Sequence, residues 1–418
     1  MTKTSFLIAT ALFSGMVISA AAIGQPGPNG GTATYWMSAE TTSGLAAMTG
    51  MSGGQPPSRG AMMGAMLSGR GPGAGGSNPG YVHNLQLDLG SSRRPAGAPQ
   101  ADHFIPVGLN AGPSLPLASP EPTRAPTPRP YETPTYGDGG ANGRILIYWG
   151  CGEHARPGQP YEIDLATLRT GRTPPAMAAL NIRPMTPPSQ ATSTTFGEWP
   201  NQRSRTIIPA SGSLVGDHAI RGNYSPDIRF TLAPGQDFLP PIQLTSNTRG
   251  PGGAVPLAWN PVANARAYFL MATGAAENNT IIMWSSSEIQ FSQMGAFDYL
   301  SPDEIVRLLQ QRVLLQPNTT QCTVPAEVAG RVQAASLMMT AFGPEANFSY
   351  PARPARPPRG WAPDWNVKLR TRASYVGMLG QDVEAMMRGQ GQGQEQRQRE
   401  EPRRRRNPLG GLGRILGQ

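Results

Sequence analysis

Glycine and proline set the limits on what this chain can fold into. There are 51 glycines and 44 prolines, together 95 of 418 residues, close to the level at which low-complexity sequence is expected. They are unevenly spread. Where they crowd, the chain cannot bury enough apolar surface to offset its ordering entropy. Where they thin to single turn residues, they bound short β-branched and aromatic runs, the signature of strands. The pattern predicts a mainly β protein: one or two antiparallel sandwich-like domains with an inserted helix, flanked by disordered Gly/Pro/Met/Arg-rich segments.

Residues 23–80 read as low-complexity, dominated by Gly, Ser, Pro and Met. Residues 81–118 form a short β-rich segment, in which Leu85, Leu87 and Leu89 alternate with polar residues, the period of a half-buried strand. Residues 119–140 are a proline-rich linker, extended by the fixed φ of its prolines. A β domain is expected over 141–250, with strands at Arg144–Gly150, Arg205–Ile208, His218–Gly222 and Asp227–Leu232.

A second β domain is expected over 251–350. Leu257 and Trp259 share one strand face, a turn follows, and Tyr268 and Leu270 would meet them from a facing sheet. The next strand is Thr280–Trp284. This stretch resembles the second and third strands of a fibronectin type III-like or immunoglobulin-like sandwich. The resemblance covers residues 255–284 and implies binding or scaffolding rather than chemistry. Beyond Trp284 a helix over 302–315 intrudes, opened by the capping box Ser301-Pro302-Asp303-Glu304. Ala335–Phe342 reads as a closing strand broken at Gly343-Pro344. Residues 351–366 form a Pro/Arg-rich linker. Residues 367–388 hold a terminal strand, with Val367, Leu369 and Thr371 on one face, and a short helix.

Met1–Ala22 reads as a cleavable secretory signal. Lys3 precedes an uncharged apolar run, and Ala20-Ala21-Ala22 offers small residues for cleavage. Export predicts that Cys151 and Cys322, the only two cysteines, form one disulfide. The net charge is +9, and residues 389–418 form a disordered basic tail. Within it, Arg403, Arg404, Arg405 and Arg406 beside an apolar run suggest contact with an anionic membrane surface. The folded part gives no footprint of a nucleic-acid binder. Arginine outnumbers lysine 33 to 2, which reads as codon bias, so single arginines carry little signal.

Catalytic patterns are missing. The sequence has no nucleophile elbow, phosphate loop, HExxH or EF-hand pattern. Glu153/His154 and Asp217/His218 are sequence neighbours, and strand neighbours point to opposite faces. Glu198 beside Trp199 would suit a sugar cleft, but no second carboxylate is evident in the sequence. Met48, Met51, Met63 and Met66 have thioether-cluster spacing, the weak mark of a copper(I) site. No cofactor is expected. As a whole the chain resembles the uncharacterised exported proteins common in GC-rich Gram-negative bacteria, which brings no activity with it. The expectation is an exported envelope protein (periplasmic, outer-membrane-associated or extracellular) that binds a protein or glycan without catalysis. The alternatives are a polysaccharide hydrolase using Glu153 or Glu198, and a periplasmic copper-handling protein.

Overall fold

The computed structural model describes residues 32–49, 80–120, 143–166, 182–183, 185–204, 206–290, 298–332 and 334–381. Within them the chain is mainly β. Strands β1 (Ala33–Gly44), β2 (Tyr81–Ser91), β3 (Ala101–Phe104) and β4 (Ser114–Leu117) come first. Next are β5 (Arg144–Trp149), β6 (Tyr161–Asp164), β7 (Thr195–Trp199), β8 (Gly216–Gly222) and β9 (Ile228–Leu232). Last are β10 (Leu244–Asn247), β11 (Val255–Trp259), β12 (Ala267–Ala276), β13 (Thr280–Ser285), β14 (Gln321–Val324), β15 (Ala334–Tyr350) and β16 (Trp365–Met378). Three helices join them: α1 (Leu45–Thr49), α2 (Pro302–Gln310) and α3 (Ala326–Ala329). No helix among the described residues is long and apolar enough to cross a membrane.

One nine-stranded sheet, ordered β6-β5-β13-β12-β15-β16-β1-β2-β7, runs through the molecule. It is mostly antiparallel, with parallel pairing at β1/β16 and β13/β5. Two smaller sheets pack on the same side of it. The sheet β4-β3-β8-β9 closes a first lobe around Tyr35, Met37, Leu87, Leu115, Ile220 and Trp365. The sheet β10-β11-β14 closes a second lobe around Leu257, Trp259, Tyr268, Leu270, Trp284 and Leu337. Burial of such side chains contributes roughly 1.5–3 kcal/mol each. The packing expected at residues 257–270 is present: Trp259 meets Tyr268 edge-on at 5.5 Å, and the Tyr268 hydroxyl accepts from the Val262 amide at 3.0 Å.

β15 belongs to both lobes because of a bulge. Phe342 pairs with Arg372 and Glu345 with Arg370, so β15 carries one extra residue there. The extra residue switches the inward side chains from odd to even positions. Ala335, Leu337, Met339 and Ala341 face the second core, whereas Ala346, Phe348 and Tyr350 face the first. Gly343 is required at the bulge, because a Cβ would collide with the Thr371 hydroxyl. That hydroxyl donates to the Pro344 carbonyl at 2.9 Å.

The structure differs from the sequence expectations at six places. Ala33–Gly44, inside the expected low-complexity stretch 23–80, is an interior strand of the large sheet, paired on both edges. The boundary expected at residue 250 does not divide that sheet, which takes strands from both sides of it. The 351–366 linker ends early, since β16 starts at Trp365. Gly343-Pro344 bends β15 rather than ending it. The inserted helix stops at Gln310, with Arg312 turned to φ +58°, yet Val313 and Leu314 still reach the patch that Leu308 covers. In addition, Thr206–Ile208 forms no ladder.

Candidate functional site

Three polar assemblies distinguish the first lobe. The first is a row of charge on the back of the large sheet. On β16, Val367 and Leu369 face the core, so Lys368, Arg370 and Arg372 take the other face. The parallel register sets them beside Trp36, Ser38 and Glu40 of β1. Lys368 lies over the Trp36 ring at 5.3 Å, Arg370 Nε donates to Ser38 Oγ at 2.7 Å, and Arg372 Nη2 meets Glu40 Oε2 at 2.9 Å. Arg372 Nη1 also reaches Asp298 at 2.8 Å, and Lys368 pairs with Glu345. The buried Tyr299 ring covers both guanidiniums, at 4.2 Å from Arg370 and 4.6 Å from Arg372. Burial lowers the pKa of Arg370. Burial pulls on Arg372 too, but Glu40, Tyr299 and Asp298 hold its pKa above the ordinary value. Tyr299 thus roofs this row, which serves as a structural network.

The second assembly is a chain of hydrogen bonds through the core. The Leu214 carbonyl can only accept, so Nε2 of His218 donates to it, at 2.7 Å. The neutral His218 then accepts at Nδ1 from His103 Nε2, at 2.9 Å. His103 Nδ1 accepts from the Tyr35 hydroxyl, also at 2.9 Å. Every bond is satisfied only while both imidazoles stay neutral. Burial lowers the His103 pKa well below its ordinary value, helped by His218, and brings His218 down to about 4.

The third assembly is an open cleft of about 1280 Å³ at one side of the first lobe. Its lining includes Phe104, Asp217, Arg221, Arg229, Asn347 and Trp361. Lys368 and Glu345 also line it, so the charged row reaches solvent here. The connection over residues 351–360 is exposed throughout, and its Arg353 lines the cleft.

Cys151 and Cys322 are bonded, with Cα atoms 5.1 Å apart. The bond ties the start of β5's outgoing turn to β14. Glu153 and His154 lie at the surface, where His154 pairs with Glu327 at 3.2 Å. Asp217 and His218 do point apart: Asp217 accepts from Thr231 in the cleft wall, and His218 enters the core. Glu198 acquires a neighbour that the sequence did not reveal, since β2 and β7 pair Asp88 with it directly. Burial raises both carboxyls, Asp88 to about 6. Asp88 is 2% exposed and accepts from Gln86, so the pair does not open onto the cleft. Arg403–Arg406, Met51, Met63 and Met66 lie outside the described residues, as does the side chain of Met48. Met1–Ala22 lies outside them too.

Sequence reading missed Arg370, Arg372, Arg221 and Arg353. The available signal was the strict alternation of Val367-Lys368-Leu369-Arg370, which marks a strand with one charged face. No group of three or more His, Cys, Asp or Glu suited to a metal occurs among the described residues. No protein-family model matches the chain, and it has no significant match among curated proteins or solved structures.

Proposed function

We propose that this chain is an exported cell-envelope protein that binds a protein or glycan partner without catalysing a reaction, and that the cleft of the first lobe is its binding surface. The observation that carries this reading is the cleft itself: an open groove of about 1280 Å³ that brings together Phe104 and Trp361 with Arg221, Arg229 and Arg353. Aromatic and arginine side chains are the residue types that dominate binding energies at interfaces. The Cys151–Cys322 disulfide supports export, because such bonds persist in oxidising compartments. The Leu257/Trp259–Tyr268/Leu270 packing supports a local fibronectin type III-like sandwich, a scaffold type that serves binding. Arg403–Arg406 would add a contact to an anionic surface.

Binding is tested by sedimenting the full chain with isolated Gram-negative envelopes. More of the wild type than of Arg221→Glu/Arg353→Glu is expected in the pellet, since both keep the Arg403–Arg406 tail. Equal sedimentation of the two would sink the assignment of the cleft. Mass spectrometry of the periplasmic product tests export, with a start after Ala22 expected.

The second reading is a polysaccharide hydrolase, favoured by the opposed carboxyls of Asp88 and Glu198, since glycosidases need two. The burial of Asp88 weighs against it. Reducing-sugar release from envelope polysaccharide that disappears in Glu198→Gln would establish it over the binding reading.

A further inference from the structure

The cleft lies where the first lobe fails to close. On the opposite side the small sheet and the large sheet are stitched together. Ala118, just past β4, bridges to Glu198 of β7, and Pro116 sits within β4. On the cleft side, among the described residues, β9 ends its sheet and pairs only with β8. The facing part of β15 is also single-edged. Its pairing with β12 stops at Phe342, whereas Glu345–Tyr350 continues with β16 alone. β12 begins at Ala267, opposite Phe342, and the bulge follows at once in β15.

Two strand edges, Ile228–Leu232 and Glu345–Tyr350, thus border one cleft without ladder partners among the described residues. Phe230 and Phe348 meet beneath them, with ring centroids 5.2 Å apart, and fix the two edges relative to each other. Five to six residues of edge offer roughly 17–20 Å of alternating N–H and C=O groups. Only another polypeptide backbone matches that alternation. Neither edge contains proline, the residue that would block such pairing.

The charge around the cleft selects the sign of the partner. Arg221, Arg229, Arg353 and Lys368 line it, against Asp217 and Glu345. Lys368 is occupied by Glu345, and Arg229 stands 4.0 Å from Asp227. Arg221 rests on the Phe104 ring at 5.2 Å, and Arg353 lies on the exposed connection. We propose that this cleft takes, by strand addition, an extended acidic segment of another protein. The inference rests on the cleft being the binding surface and names its occupant.

The test uses the full chain and a fluorescein-labelled nine-residue peptide that alternates glutamate with valine or threonine, read by fluorescence anisotropy. Binding is expected to weaken about tenfold or more when alternate peptide amides are N-methylated, since main-chain hydrogen bonds supply affinity in strand addition. A loss of about tenfold is also expected with Arg221→Glu/Arg353→Glu, and with lysine replacing glutamate in the peptide. The N-methylated arm leaves the protein unaltered, so it decides the matter even if the variant is poorly folded. An N-methylated peptide that binds as well as its parent overturns strand addition. If the peptide fails while polygalacturonate binds and Arg221→Glu/Arg353→Glu abolishes it, the occupant is wrong and the binding surface stands. A self-associating chain that ignores the peptide makes a second copy the occupant and overturns the inference. If neither probe binds and envelope sedimentation survives Arg221→Glu/Arg353→Glu, the binding surface falls as well.

Discussion

Behind the second lobe, β12 turns Ala267 and Phe269 away from the sandwich, and α2 covers them with Ile305 and Leu308. Behind the first lobe, β16 turns Lys368, Arg370 and Arg372 to the same side of the same sheet, and charge covers charge under Tyr299. The fronts differ as well. The second core is apolar and pinned by a disulfide. The first is threaded by Tyr35, His103 and His218, and its sandwich stays open on one side. One continuous sheet therefore supports a lobe built for closure and a lobe that keeps polar groups and, among the described residues, open edges. Open edges and buried charge are what a finished fold normally removes, so the first lobe carries the candidate site.

The disulfide carries the largest expected effect. Replacing Cys151 and Cys322 by serine removes a link spanning 171 residues and is expected to cost about 5 kcal/mol, read as a drop in the urea midpoint. An unchanged midpoint would mean that packing alone closes the second lobe. The charged row comes next. Glu40→Leu leaves Arg372 buried with the exposed Asp298 as its remaining acidic partner and is expected to cost about 3 kcal/mol. Adding Arg372→Met should restore much of that in thermal unfolding, and a double variant as weak as the single one would contradict the network.

The histidine chain sharpens the contrast through pH. The folded pKa of His218 lies near 4, against 6.5 for the free side chain, so the unfolded chain takes up the proton first. Stability is complete above about pH 6.5 and falls as pH drops towards 4, by about 3 kcal/mol for this shift. His103 acts in the same direction. Asp88 opposes them: its folded pKa near 6 exceeds the 3.8 of the free side chain, so the fold gains stability as pH falls through that window. Denaturant midpoints at pH 7 and 4.5 should therefore diverge more in Asp88→Asn than in the wild type. An equal pH response in the two proteins would refute the opposition. The smallest effect is at the α2 cap, where the Ser301 hydroxyl accepts from the Glu304 amide at 3.2 Å. Ser301→Ala should cost about 1 kcal/mol, confined to the second lobe in hydrogen exchange.

Much of the β content was legible. Leu85-Gln86-Leu87-Asp88-Leu89 and Val367-Lys368-Leu369 alternate cleanly, and both are strands with the leucines inward. The cap of α2 and the cysteine pair were equally local or compositional signals. β1 was hidden by its neighbours: Tyr35, Met37 and Ala39 alternate with Trp36, Ser38 and Glu40, but Gly-rich sequence on either side drowns a twelve-residue pattern. The site was less legible still. Glu198 showed no partner because Asp88 lies 110 residues upstream and meets it only across a ladder. Arg353 and Arg221 looked like compositional background until the fold set both against one cleft.

What the sequence determined by itself is short-range. Alternation decides that a segment is a strand and which of its faces is apolar, proline and glycine decide where it turns, and a serine–proline step starts the helix. The tertiary structure alone decided the pairing. β1 lies parallel to β16 across 332 residues, and that register is what sets Glu40 beside Arg372 and Ser38 beside Arg370. It also decided which edges stay open, because a strand's ladder partners depend on what else the collapsed chain brings alongside. The physical reason is one of range. Side-chain direction follows from two dihedrals per residue, whereas register between distant strands follows from packing two cores at once, which no local window contains.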